Sequence, residues 1–350
     1  MTGTTGAHAP PDPTTGAGTA IRAEGLRKRF RGHEALRGLD LRVRTGTVHG
    51  LLGPNGSGKT TTVRVLTGLL RADAGRALVC GHDVAREPER VRARIALTGQ
   101  YAAVDETLSG RQNLVMFGRL AKLGPRRARR RAEELLEEYE LTDAAHRSAG
   151  TWSGGMRRRL DLAVSLVRVP EVLFLDEPTT GLDPRSRNRM WNAVRNLVAA
   201  GTTVLLTTQY LEEADRLAHR ITVLDGGRVV AEGTPEQVKA VSGGDRLEVV
   251  VRDTGDLVGA VRLLARLGDG EPRVDREARR VDVEVRDRVT ALSVALRELE
   301  GTGVRVEDIG TRRPGLDEAF LRLTGRPPAS GAATGATDTP GTTANGGAGR

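Results

Sequence analysis

Short apolar runs bounded by turn residues recur along the first two thirds of the chain. Val48–Leu52, 172–175 and 204–206 read as short strands, and residues 21–240 as a mixed α/β domain. Between 100 and 169 the pattern turns mostly helical. It includes the strongly charged stretch 126–140, whose arginines at 126–131 fit a solvated helix face better than a binding patch. A different pattern follows at 245–325. Leu247, Val249 and Val251 alternate as a strand does, and so do Val281, Val283 and Val285, with helical stretches near 256–267 and 288–299. A second, small α+β domain is expected there. Segments 1–20 and 327–350 are rich in Gly, Thr, Ala and Pro and are expected to be disordered tails.

Composition refines this picture. A length of 350 residues suits two domains, or a large one with a small one. Hydrophobic residues at 38% suffice for a core, and aromatics at 3% leave that core to Val, Leu, Ala and Ile. The net charge of +9 comes almost wholly from arginine, since only Lys28, Lys59, Lys122 and Lys239 are lysines. A coding bias towards arginine is the favoured reading, with attraction to anionic lipid or to nucleic acid as the sharper alternatives. Nucleic acid is not an expected partner, because aromatics are too scarce for a stacking platform. The single cysteine, Cys80, rules out a disulfide within the chain and is compatible with a reducing cytoplasm; in the apparent strand and turn at 77–81 it reads as a small buried apolar residue. The first twenty residues lack a secretory signal, and no apolar stretch approaches about 18 residues, so any membrane role is expected to be peripheral.

The chemistry is concentrated in three places. Gly53-Pro54-Asn55-Gly56-Ser57-Gly58-Lys59-Thr60 matches G-x-x-x-x-G-K-[ST] between an apolar strand and a helical pattern at 61–70. Glycines there let backbone N–H groups curl around phosphate oxygens, and the helix N-terminus adds partial positive charge. Lys59 is expected to reach the terminal phosphates and the Thr60 hydroxyl to ligate Mg²⁺. Second, the run at 172–175 ends in Asp176-Glu177. Beside a phosphate loop, Asp176 is expected to hold Mg²⁺ and Glu177 to act as general base on the attacking water. Third, Ser153-Gly154-Gly155 opens another helical stretch, a second anion site by the same physics.

These residues, with the serine 23 positions before Asp176, resemble the signature sequence of ATP-binding cassette proteins, and the resemblance covers about 21–235. It implies a P-loop NTPase cassette with antiparallel-β and helical subdomains. It implies that the 153–155 signature caps ATP bound to a second copy, giving a homodimer with ATP sandwiched between. Phe30 falls where an aromatic stacks on adenine. Thr61 extends the phosphate-contacting loop. Gln100 falls at the glutamine that touches Mg²⁺ and links to an integral membrane permease. Gly181-Leu182-Asp183 falls in the loop that crosses the dimer interface. The protein is then expected on the cytoplasmic face of the cell membrane.

Two departures stand out. Trp152 replaces a smaller apolar residue or tyrosine of the signature and is expected to pack differently. Gln209 replaces the histidine that contacts the γ-phosphate; its amide can donate a hydrogen bond but carries no positive charge, which points to slow hydrolysis. The stretch 207–215 around Gln209, together with Pro314-Gly315-Leu316-Asp317-Glu318-Ala319-Phe320-Leu321, resembles the daunorubicin and doxorubicin resistance branch of bacterial drug exporters, which implies a C-terminal region that helps assembly with the permease. A cassette ATPase of translation or DNA repair would bring two cassettes or a long coiled coil, and a GTPase an Asn-Lys-x-Asp motif; the sequence has neither.

Overall fold

The computed structural model describes residues 18–99 and 103–325. The expected tails at 1–20 and 327–350 lie outside the described residues, except that the first strand already begins at Thr19.

A six-stranded sheet stands at the centre, in the order Arg228–Gly233, Arg220–Asp225, Val48–Leu52, Thr203–Thr208, Val172–Asp176, Ile95–Thr98. The first pair is an antiparallel hairpin and all other neighbours run parallel. Val48–Leu52, Val172–Asp176 and Thr203–Thr208 are buried at every residue, the environment of parallel strands covered on both faces. Successive side chains therefore enter different cores. Leu173 and Leu175 pack with the helical insert, while Val172 and Phe174 pack with the helix Lys59–Leu66 and a four-stranded antiparallel sheet. That second sheet runs His33–Arg44, Thr19–Phe30, Ala74–Val79, His82–Asp83. At its edge Cys80 is half-buried at φ +50°, not fully buried as expected; burial, with Glu171 adding, pushes its thiol up to about 12.

The insert between Thr98 and Val172 carries the helices Gly110–Leu120, Pro125–Glu138 and Gly154–Ser165. In Pro125–Glu138 the residues Ala128, Ala132, Leu135 and Leu136 face the core while Arg126, Arg127, Arg129 and Arg130 face water. Trp152 is buried over Gly110, where an added Cβ would lie 2.3 Å from the indole ring.

The third sheet is antiparallel, in the order Asp269–Asp275, Arg280–Val285, Asp245–Val251, Val306–Arg312. With the helices Leu257–Leu267 and Arg288–Glu300 it forms a βαββαβ unit of ferredoxin-like topology. Leu247, Val249, Val251, Val281, Val283 and Val285 line one core under those helices. The last helix, Leu316–Thr324, departs from the expected boundary of 245–325. Leu316, Ala319 and Phe320 bury against Leu52, Leu211, Ala214 and Val238, all residues of the first 240. The apolar stripe of this short amphipathic helix finds its cover on the cassette rather than on the small sheet.

Candidate nucleotide site

The chain leaves the buried strand at Leu52 and enters the helix Lys59–Leu66 through residues 53–58. Two glycines are sterically required there. A Cβ at Gly53 would sit 2.5 Å from the Leu224 carbonyl oxygen, and one at Gly58, φ +108°, 2.7 Å from that of Ala35. The loop thus closes tightly against neighbouring strands, and the Ser57 N–H folds back onto the Pro54 carbonyl at 3.2 Å. Lys59 is buried; its Nζ donates to the carbonyls of Gly53 at 2.7 Å and Pro54 at 3.2 Å and lies 3.4 Å from Glu177 Oε1. Burial pulls the ammonium below the usual lysine range, and the Glu177 carboxylate, then Asp176, push it back up. Ser57 Oγ is buried and has no hydrogen-bond partner. An orphaned hydroxyl, a buried ammonium and a helix N-terminus around one glycine loop fit a polyphosphate, which would satisfy all three.

The carboxylates arrive on the next strand but one. Asp176 Oδ1 accepts from Thr207 Oγ1 at 2.5 Å and from Thr60 Oγ1 at 3.3 Å, which joins the strand end to the first turn of the phosphate-loop helix. Glu177 is left-handed, φ +51°, a conformation that costs a non-glycine residue roughly 1–2 kcal/mol. Its N–H is held by the Thr207 carbonyl and hydroxyl, each at 3.1 Å. Among the described residues no group of three or more His, Cys, Asp or Glu could hold a metal by itself. A cation here would share Thr60 and Asp176 with the phosphates, the usual arrangement for Mg²⁺.

Gln209 follows Thr207 and Thr208 at the end of that neighbouring strand and is half-buried, with Tyr210 N–H donating to Thr208 Oγ1 at 2.9 Å. Thr61 lies half-buried in the first turn of the phosphate-loop helix. Phe30 ends the strand Thr19–Phe30, is 44% exposed, and has the Lys28 ammonium 5.6 Å from its ring centre. It pairs with His33, two residues before Ala35, which touches Gly58. Ser153 caps the helix Gly154–Ser165 by accepting from Met156 N–H at 3.3 Å. An added Cβ at Gly155 would lie 2.4 Å from Ser186 Oγ, so this helix start abuts the start of Pro184–Ala199, capped by Asp183 through Ser186 N–H at 2.9 Å. Ser153, Gly154 and Asp183 are exposed, and no hydrogen bond or ion pair among the described residues joins them to the phosphate loop of the same chain. Gln100 lies outside the described residues.

Two further residues escaped the sequence reading. Arg158 is buried, and burial pulls its guanidinium below the usual arginine range, opposed by Asp161, Asp176 and Glu213. It donates to the carbonyls of Gly99 at 2.7 Å, Pro178 at 2.9 Å, Glu177 at 3.2 Å and Asp176 at 3.3 Å. Glu213, on the helix Leu211–Leu217 after Gln209, has no exposed surface. Trp191 Nε1 donates to its Oε1 at 3.2 Å, and its Oε2 has no partner. Burial pushes the carboxyl up to about 6, against the pull of Thr208, Trp191, Thr179 and Arg187.

The sequence pattern of the ABC transporter family matches residues 36–180. A daunorubicin resistance ATP-binding protein of Streptomyces coeruleorubidus is 64% identical over 88% of this chain and 96% of its own. A Nod factor export ATP-binding protein of Ralstonia nicotianae is 40% identical over 91% of this chain and 97% of its own. The crystal structure of the ADP conformation of an ATP-binding cassette of an ABC transporter matches with a TM-score of 0.57 and 28% identity, over 64% of this chain and 94% of that one.

Proposed function

The chain belongs to the ABC transporter family and is the ATP-binding, ATP-hydrolysing subunit of a bacterial exporter; from that premise we propose that two copies close head to tail around two ATP molecules and drive export of a drug of the daunorubicin kind through a separate membrane permease.

The observation that carries the dimer is the separation of the two anion sites. Ser153, Gly154 and Asp183 form one exposed surface, while the phosphate loop forms another without a bond between them. Each ATP would lie on the phosphate loop of one copy and under the signature of the other, with Phe30 against adenine. Thr60, Asp176 and Gln100 would hold Mg²⁺, whose charge would offset that of the phosphates. Glu177 would take the proton of the attacking water, and Gln209 would donate a neutral hydrogen bond to the γ-phosphate. Closure is then driven by contacts that exist only with ATP present.

Among the described residues no helix is long and apolar enough to cross a membrane. Attachment to the membrane would therefore run through the permease, at its cytoplasmic face. The cassette would comprise about 19–240 together with the terminal helix, and the ferredoxin-like unit would serve assembly. The support for a drug substrate is the identity to the daunorubicin resistance relative over 88% of the chain. Glu177→Gln with ATP should elute as a dimer, and a monomer at saturating ATP would overturn the sandwich. Deleting the gene from its host should raise daunorubicin sensitivity, and unchanged sensitivity would overturn the substrate.

A further inference from the structure

Three consecutive arginines follow the signature, and they go to three different places. Arg157 pairs with Glu106 at 2.9 Å, and Arg159 donates to the Tyr139 carbonyl at 2.8 Å. Arg158 alone turns inward, onto carbonyls from two separate segments. One is Gly99, immediately before Gln100; the other is the run Asp176, Glu177 and Pro178. A guanidinium has five N–H donors in a rigid plane, and this geometry uses that fork in a way no ammonium could. The carbonyl of Glu177 belongs to a left-handed residue whose N–H is already held by Thr207. Arg158 holds its carbonyl, so the backbone is fixed on both sides of this residue.

The same helix begins at the signature. Ser153 caps it, Gly155 presses on Ser186, and Arg158 lies just over one turn further along. We propose that Arg158 is a positioning residue that couples the two ATP sites of the dimer: engagement of one ATP by Ser153-Gly154-Gly155 sets, through Arg158, the carboxylates that hydrolyse the other. This inference rests on the head-to-tail dimer. A shift of the helix start toward the partner's γ-phosphate carries the guanidinium with it, because an α-helix moves as a rigid element over one turn. The guanidinium in turn carries the backbone of Asp176–Pro178 and the Gly99 carbonyl. Each copy thereby senses whether the opposite site is filled before its own Glu177 is aligned.

The test is a double-mutant cycle on the full chain, with Ser153→Ala and Arg158→Gln, reading kcat, KM and the affinity for a fluorescent ATP analogue. In the native background Ser153→Ala should lower kcat roughly tenfold, the loss of one charge-assisted hydrogen bond. Arg158→Gln should lower kcat by a similar factor while KM and analogue affinity change less than about twofold. Once Arg158 is gone the signature has nothing to act through, so adding Ser153→Ala should change kcat less than about twofold. Equal losses from Ser153→Ala in both backgrounds would overturn the coupling, as would a parallel loss of kcat and ATP affinity in Arg158→Gln, which marks a merely structural role. Should Arg158→Gln melt below the assay temperature, the cycle runs on Arg158→Lys, which keeps the charge and loses the fork. A Glu177→Gln protein that stays monomeric with ATP would sink the dimer itself; a dimer with an additive cycle sinks only the coupling.

Discussion

Replacing Glu213 with glutamine should stabilise this protein, and only above mildly acidic pH. The carboxyl is wholly buried, with one hydrogen bond from Trp191 and one oxygen unpartnered. Burial raises its pKa from an ordinary 4.5 to about 6. Between those values the folded state binds more protons than the unfolded chain, so stability falls as pH rises through the window and the loss is complete above it. At about 1.36 kcal/mol per unit, the cost of holding the charged form at neutral pH is roughly 2 kcal/mol. Glutamine has the same shape, accepts from Trp191 with its carbonyl, and can direct its amide to the hydroxyl of Thr208 or Thr179. Urea midpoints followed by tryptophan fluorescence should coincide for the native protein and Glu213→Gln near pH 4.5, and should separate by about 2 kcal/mol in favour of the variant near pH 7.5. A gap that is the same at both pH values would refute the argument, because a pH-independent gain comes from packing. A variant less stable at pH 7.5 would show that the charged carboxylate is compensated by neighbours.

Gln209→His should raise ATP turnover, since the ring adds a donor that can carry charge beside the γ-phosphate; steady-state kcat at saturating ATP measures it, and unchanged turnover counts against a slow native enzyme. Gly110→Ala should lower the melting temperature, because its methyl would lie 2.3 Å from the buried Trp152 ring, an overpacking cost of about 1–3 kcal/mol. Phe320→Ala should cost about 3–5 kcal/mol in chemical denaturation by leaving a cavity against Leu52 and Leu211, whereas Leu321→Ala, on a half-exposed side chain, should cost under about 1 kcal/mol.

The central strands were legible because strands buried on both faces carry uninterrupted apolar runs, and Val48–Leu52 begins and ends where the sequence puts it. The phosphate loop was legible because its residue spacing is contiguous in the sequence, although the close approaches that demand glycine at 53 and 58 come from the distant carbonyls of Leu224 and Ala35. Arg158 was hidden in a run of three like residues, where only the helical phase distinguishes the inward one. Its neighbour in phase, Asp161, carried a usable signal, a carboxylate on an otherwise apolar stripe with Leu162 and Val164, buried and accepting from Ala103 N–H at 2.7 Å. Glu213 resembled any surface acid of the Glu212-Glu213 pair, and only the tertiary fold buries one and exposes the other. The terminal helix displayed its amphipathic stripe plainly, but an apolar stripe says that a cover exists and not which surface supplies it.

The return of that helix makes the small sheet an insertion rather than an appendage. Its polypeptide crosses the boundary twice, near 241–244 on entry and near 313–315 on exit, and both crossings lie beside Lys239, Asp215 and Gly243 around one shared cavity. Joined at two neighbouring points, the small sheet hangs on the cassette as a door hangs on a frame. Evolution can therefore enlarge or reshape the door without touching the frame. The frame, however, needs the last helix as its latch: ending the chain at residue 315 would strip Leu316, Ala319 and Phe320 from the apolar cluster that also holds Leu52, next to the first glycine of the phosphate loop.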